Sequence, residues 1–200
     1  MPHADSSFVP STITTKTQFW AHVLEQLESL LSGQKAWVSN CANTASLVYH
    51  SLLAFPSHFG SGERAVNWCG FYIDSSLFPR ASLSPTKVID QTEGENKLLL
   101  GPFSGRPACQ FIDTSPSKAR GVCADAYMQK KTILVPEVDS YPGHIACDGE
   151  TKSEIVCPLL LAGRSIGVLD LDCLAVNGFD EDDSVALERI ANLVVKSCDW

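Results

Sequence analysis

The apolar run that ends in Pro158-Leu159-Leu160-Leu161-Ala162 stops at Gly163 and Arg164, far short of the roughly 20 residues a membrane helix needs. Residues 1–7 hold no basic stretch followed by an apolar one, so no signal or transit peptide is expected. Positive charge is also scarce. Fifteen Lys and Arg stand against 23 Asp and Glu, a net charge of -8, which disfavours nucleic acid and anionic membranes as partners. No Gly-rich loop closed by Lys-Ser or Lys-Thr occurs, so nucleotide hydrolysis has no support. Cys-x-x-Cys and His-Glu-x-x-His are missing too. The remaining set, His144-x-x-Cys147 with Cys123 and Cys157, has no zinc spacing, and no metal is expected.

What is present is an ordinary globular composition, 44% hydrophobic and 19% charged, with length enough for one unstapled core. A cytosolic protein is the expectation. A small-molecule or protein partner stays open, and nothing speaks against a homodimer. Eight cysteines are then unusual, because a reducing compartment has little use for structural disulfides. Their contexts divide them. Cys41 and Cys198 fall in helical patterns, and Cys69, Cys157 and Cys173 alternate with polar residues in strand-like runs, so these five read as small buried hydrophobes. Cys109, Cys123 and Cys147 lie in or beside Gly-containing loops, where reactive groups are usually presented. Arg106 precedes Cys109, Arg120 precedes Cys123, and Cys123 opens a short helix; positive charge and helix-terminal amides are what a thiolate requires.

Residues 1–14 read as a flexible lead and 15–200 as a single domain, without internal repeats. Apolar residues recur at helical spacing from about Thr15 to Gly33, then from a cap at Asn40 to Phe55-Pro56, and finally from Asp180 to Val195 with Val185, Leu187, Ile190, Ala191 and Val194 on the buried side. Strand-like runs cover 67–74, 97–103, 132–136, 154–160 and 165–173, and residues 124–131 form a short helix. Residues 79–96 are rich in Ser, Pro, Thr and Glu and read as an exposed insertion. The order points to an α+β fold, a largely antiparallel sheet with helices packed against it.

Strand alternation gives the acids a geometry. Asp170 and Asp172 share one face, about 6 to 7 Å apart, while Leu169, Leu171 and Cys173 face the other way. Glu154 joins them if its strand pairs through a hairpin at Ala162-Gly163-Arg164. Three carboxylates in one pocket favour a cationic ligand such as an amine; a solvated sheet face is the alternative. On another run Trp68, Gly70 and Tyr72 share a face, leaving a gap at glycine for a small ligand between two rings, or simply core packing.

Asn67-Trp68-Cys69-Gly70-Phe71-Tyr72, Leu100-Gly101-Pro102-Phe103, residues 105–109, Gly121-Val122-Cys123, residues 143–148, Ser153-Glu154-Ile155-Val156 and Asp170-Leu171-Asp172 together resemble the GAF-domain free methionine-R-sulfoxide reductases. The resemblance spans residues 17–198 in consistent order. It implies a GAF-like fold and reduction of free L-methionine (R)-S-oxide to methionine, with no cofactor and with thioredoxin as external reductant. It matches the family cysteines to Cys109, Cys123 and Cys147, the substrate-holding acids to Glu154, Asp170 and Asp172, and the aromatics around the methyl sulfoxide to Trp68 and Tyr72. The chain departs from the bacterial pattern in its longer 79–96 segment, a longer spacing from Cys109 to Cys123, and Asp125 after Ala124. The implied chemistry is thiolate attack on the sulfoxide sulfur by Cys147, a sulfenic acid, and a disulfide with Cys109 or Cys123. The competing class is a GAF-type module that binds a small ligand or senses redox state without turnover.

Overall fold

The computed structural model describes residues 4, 5, 7–78, 96–145 and 148–200. Cys147 and residues 79–95 of the expected insertion lie outside the described residues. The chain opens with α1 (Lys16–Leu31), whose start is fixed by a reciprocal cap: Thr15 accepts from the Gln18 amide while the Gln18 side chain accepts from the Thr15 amide. Ahead of it, Val9 and Ile13 rest partly buried against the main core. Helix α2 (Trp37–Leu53) begins at Ala36 rather than Asn40. Asn40 lies inside the helix and fully buried, its amide donating to the Gln34 and Ser197 carbonyls, so it ties α2 to the chain terminus instead of capping. Strands β1 (Val66–Asp74), β2 (Lys97–Gly105) and β3 (Phe111–Asp113) follow, then α3 (Val122–Gln129), β4 (Ile133–Val135), β5 (Ser153–Leu161), β6 (Arg164–Cys173) and α4 (Glu181–Ser197).

The six strands form one antiparallel sheet in the order β3-β2-β1-β6-β5-β4. Helices α1, α2 and α4 cover one face, where Phe19, Leu27, Val48, Leu52, Leu187 and Ile190 meet Cys69, Phe71, Ile155, Cys157, Leu169 and Leu171 in the main core. A smaller apolar cluster on the opposite face joins Trp68, Tyr72, Val156 and Val168 to Val122, Cys123 and Ala126 of α3. The central strands are therefore buried on both faces. Val185, expected on the buried side of α4, is 52% exposed; the helix presents Leu187, Ile190, Ala191 and Val194 inward, one step around from it.

Two devices hold this arrangement. Asp180 caps α4 by accepting from the Asp182 and Asp183 amides, and the Asp183 side chain accepts back from the Asp180 amide. Buried Asp183 also accepts from Lys16 Nζ at 2.5 Å and Trp20 Nε1 at 2.8 Å, which pins α1 to α4. At the other end, β5 and β6 are joined by a two-residue turn in which Ala162 (φ 50°) and Gly163 (φ 79°) both take left-handed backbone, the twist that matches a hairpin. No helix among the described residues is long and apolar enough to cross a membrane.

Candidate functional site

The β5–β6 hairpin sets the acids. Glu154 pairs directly across from Asp172, and Val156 across from Asp170, so period-two alternation turns all three carboxylates away from the helical core toward α3. Each is at least 91% buried. They form one wall of a cavity of about 200 Å³. Tyr72 and Cys109 line a second side, the start of α3 at Gly121, Val122 and Cys123 a third, and His144 and Ile145 a fourth, with Phe111 and Ile112 of β3 also on the wall. Drug-sized ligands fill clefts of roughly 300 to 1,000 Å³, so this volume suits something smaller, such as one amino acid.

Cys123 reaches the acids because Gly121, at φ 85°, lets the chain turn into α3 with the thiol on the cavity side. Its Sγ donates to Asp170 Oδ2 at 3.2 Å, with Glu154 Oε1 at 3.9 Å. His144 Nε2 sits 3.2 Å from Glu154 Oε2. The other oxygen of Asp170, Oδ1, is buried without a hydrogen-bond partner. Among the described residues, Arg120 and His144 are the basic side chains on the wall.

These positions push protons onto the site. Burial raises Asp170 well above the usual carboxylate range, and the charges of Glu154 and Asp172 raise it further. Burial likewise raises Asp172, with Glu154 and Asp148 adding repulsion. Glu154 is raised by burial, against the opposing pull of His144 and Cys123. Cys123 is driven well up by burial first and then by the carboxylates around it, so the empty site holds it as a neutral thiol. A ligand carrying an ammonium group reverses this balance, because the charge it brings lets the acids ionise.

The aromatic run behaves differently from the expected ligand slot. Trp68 folds over Gly70, where a Cβ would lie 2.6 Å from the indole and 2.4 Å from Phe103 Cβ. The indole stacks on Phe103 at 5.8 Å and on Tyr72 at 5.7 Å, so the gap at glycine is filled from within. Trp68 is buried behind Tyr72; Tyr72 lines the cavity, and its hydroxyl donates to the Cys109 carbonyl at 3.0 Å. The arginine beside Cys109 is engaged elsewhere as well. Arg106 pairs with Asp148 at 2.9 Å and with Glu150, and Asn67 donates to Asp148 at 2.9 Å, which anchors the segment just after Cys147.

Cys69, Cys157 and Cys173 are buried on the helical face, with Cys157 pushed up to about 12 by burial. The sheet separates Cys157 from Cys123, so these two do not join a metal set. The cysteines on the cavity wall are Cys109 and Cys123 among the described residues. Sequence reasoning missed β3 and with it Phe111 and Ile112, whose three-residue strand is too short to carry a period. It also missed Thr151, which accepts from Asn67 and lines the cavity.

A family model described as a GAF domain matches residues 87–196. A free methionine-R-sulfoxide reductase of Saccharomyces cerevisiae is 41% identical over 98% of this chain and 94% of its own length. The chain belongs to the GAF-domain free methionine-R-sulfoxide reductase family. A reductase of the same description from Escherichia coli is 31% identical over 88% of this chain and 86% of its own. The solved structure of the free methionine-R-sulfoxide reductase from Neisseria meningitidis in complex with its substrate superposes with a TM-score of 0.74. It is 32% identical and covers 96% of this chain and 95% of that one. The α+β fold expected from the sequence is thus the GAF fold of this family.

Proposed function

We propose that the protein reduces free L-methionine (R)-S-oxide to L-methionine through a sulfenic acid and an intramolecular disulfide that thioredoxin recycles. The observation that carries the proposal is the wall of three buried carboxylates beside Cys123 in a cavity of single-amino-acid size. Glu154, Asp170 and Asp172 claim the α-ammonium, a charge that a residue inside a peptide lacks. Tyr72 bounds the methyl sulfoxide, and Trp68 stacks behind it as a positioning residue.

In the reaction a cysteine thiolate attacks the sulfoxide sulfur while a protonated carboxylic acid of the cluster gives its proton to the oxygen. The hydroxyl of the resulting adduct passes from the methionine sulfur to the cysteine sulfur as the S–O bond and the transient S–S bond break; methionine leaves with the electron pair, and the cysteine is left as sulfenic acid. A second thiol condenses with it, releasing water and closing a disulfide, which an external dithiol reduces. The proton load on Glu154, Asp170 and Asp172 supports the acid role. We assign the attack to Cys147, whose sequence neighbours His144 and Asp148 can support proton transfer, and resolution to Cys109 or Cys123.

The test supplies the full chain with thioredoxin, thioredoxin reductase and NADPH, and offers each epimer of free methionine sulfoxide and of N-acetylmethionine sulfoxide. Turnover of the free (R) epimer alone is expected; absence of stereoselective turnover refutes the enzyme reading. In single-turnover reactions without reductant, Cys147→Ser releases no methionine. A full equivalent from that variant would move the attack to another thiol.

A further inference from the structure

An ammonium ion uses the oxygens of the acid cluster but has no use for a sulfur donor, and the cluster holds one. Cys123 Sγ is 3.2 Å from Asp170 Oδ2 and 3.9 Å from Glu154 Oε1, and donor atoms of the three residues lie within 4.8 Å of one another. A tetrahedral ion with Zn–S of about 2.3 Å and Zn–O of about 2.1 Å sets sulfur and oxygen roughly 3.5 Å apart. The two observed separations bracket that edge. Asp170 is 95% buried, lines the cavity, and leaves Oδ1 without a partner. His144 engages Glu154 Oε2 and leaves Oε1 toward Cys123, the outer hydrogen bond by which ligating carboxylates are commonly oriented.

We propose that Cys123, Glu154 and Asp170 form a site for a thiophilic divalent cation, with Zn²⁺ the best match, and that this ion and an ammonium-bearing ligand exclude one another. The donor set of one thiolate and two carboxylates favours zinc over magnesium or calcium, which take oxygen alone. Binding forms one S–Zn and two O–Zn bonds, leaves the fourth position toward the cavity, and releases the Cys123 proton with any held on the two acids. No electrons move. The bound ion occupies the oxygens that would take the substrate amine and masks a thiol, so zinc reversibly silences the pocket. Motif spacing misses this set because its donors come from one helix start and two strands, 31 and 16 residues apart in sequence.

The mutual exclusion rests on the reductase reading; the metal site does not, and its test contains no substrate. Co²⁺ is titrated anaerobically into the full chain carrying Cys109→Ser and Cys147→Ser, which removes rival thiols. One equivalent should produce a thiolate-to-cobalt charge-transfer band that Zn²⁺ displaces. Adding Cys123→Ser abolishes the band, and Glu154→Gln or Asp170→Asn weakens binding at least tenfold, with circular dichroism reporting that each variant is folded. Failure of the band to appear, its survival in Cys123→Ser, or unchanged affinity in the folded Glu154→Gln variant overturns the site. Free methionine (R)-S-oxide then raises the apparent dissociation constant for Co²⁺; a band it leaves unmoved overturns the exclusion alone.

Discussion

Asp170→Asn should stabilise the empty protein while weakening its ligand. The carboxylate is 95% buried, faces Glu154 and Asp172, and leaves Oδ1 unpaired. An unsatisfied buried polar group costs about 1 to 3 kcal/mol. Asparagine keeps the shape, can still accept from Cys123, and turns an amide toward Glu154, so a gain of about 2 kcal/mol is expected. For a domain of this size that raises Tm by roughly 4 to 8 °C. The sign with pH follows from the raised acid. Stability contributed by the protonated Asp170 is fully present below the unfolded value of about 3.9 and is lost as pH rises through the higher folded value. Wild type and variant therefore converge near pH 4 and separate toward pH 8, with the variant above. Urea unfolding at pH 4, 6 and 8 measures this directly. Saturating free methionine (R)-S-oxide reverses the order, since a ligand at 100 times its dissociation constant adds about 2.7 kcal/mol to a protein that binds it. A variant less stable than wild type at pH 8, or a gap that does not widen with pH, would refute the reasoning.

Lys16→Met leaves Asp183 buried and without its cation, which should cost about 3 to 5 kcal/mol in urea unfolding; adding Asp183→Asn recovers part of the loss if the pair in the structure is responsible. Ala162→Asn relieves left-handed backbone at the β5–β6 turn and should add about 1 kcal/mol, read by calorimetry as a rise of roughly 2 to 4 °C. Gly70→Ala places a methyl against Phe103 and the Trp68 indole, lowering stability by about 1 to 3 kcal/mol and shifting tryptophan fluorescence. An unchanged spectrum would mean that the indole does not lie over Gly70.

Much of the architecture is legible because periodicity survives where one face is buried. The runs around Phe19, Leu27, Leu187 and Ile190 give helices, and the alternation in 165–173 gives the face shared by Asp170 and Asp172. What escapes is whatever depends on a partner distant in sequence. Asn40 looks like a cap because its residue type favours caps, yet it serves the Gln34 and Ser197 carbonyls from within α2. Trp68 and Tyr72 are correctly placed on one face, but the fold of the indole over Gly70 is set by Phe103 on β2. Arg106 stands three residues before Cys109 in the sequence motif and pairs with Asp148 and Glu150. Proximity along the chain identifies residue types that can do chemistry; the pairing of strands decides which of them meet.

The division of thiols follows from the same parity. On β1, β5 and β6 a cysteine that faces the helices is sealed in the main core, as Cys69, Cys157 and Cys173 are, and burial keeps each protonated. On β6 the residues that alternate with Leu171 and Cys173 are Asp170 and Asp172, and these face the cavity. A slip of one residue in β6 would exchange Asp170 and Asp172 for Leu169, Leu171 and Cys173 at the cavity wall, and would bury two carboxylates in an apolar core. The register that prevents it is set by the turn at Ala162 and Gly163 together with a one-residue shift in the ladder, where Leu160 faces Ser165 but Leu159 faces Gly167, both toward the far end of the hairpin from the Glu154–Asp172 pair. A turn and a one-residue bulge beside it thus fix which side chains face the cavity.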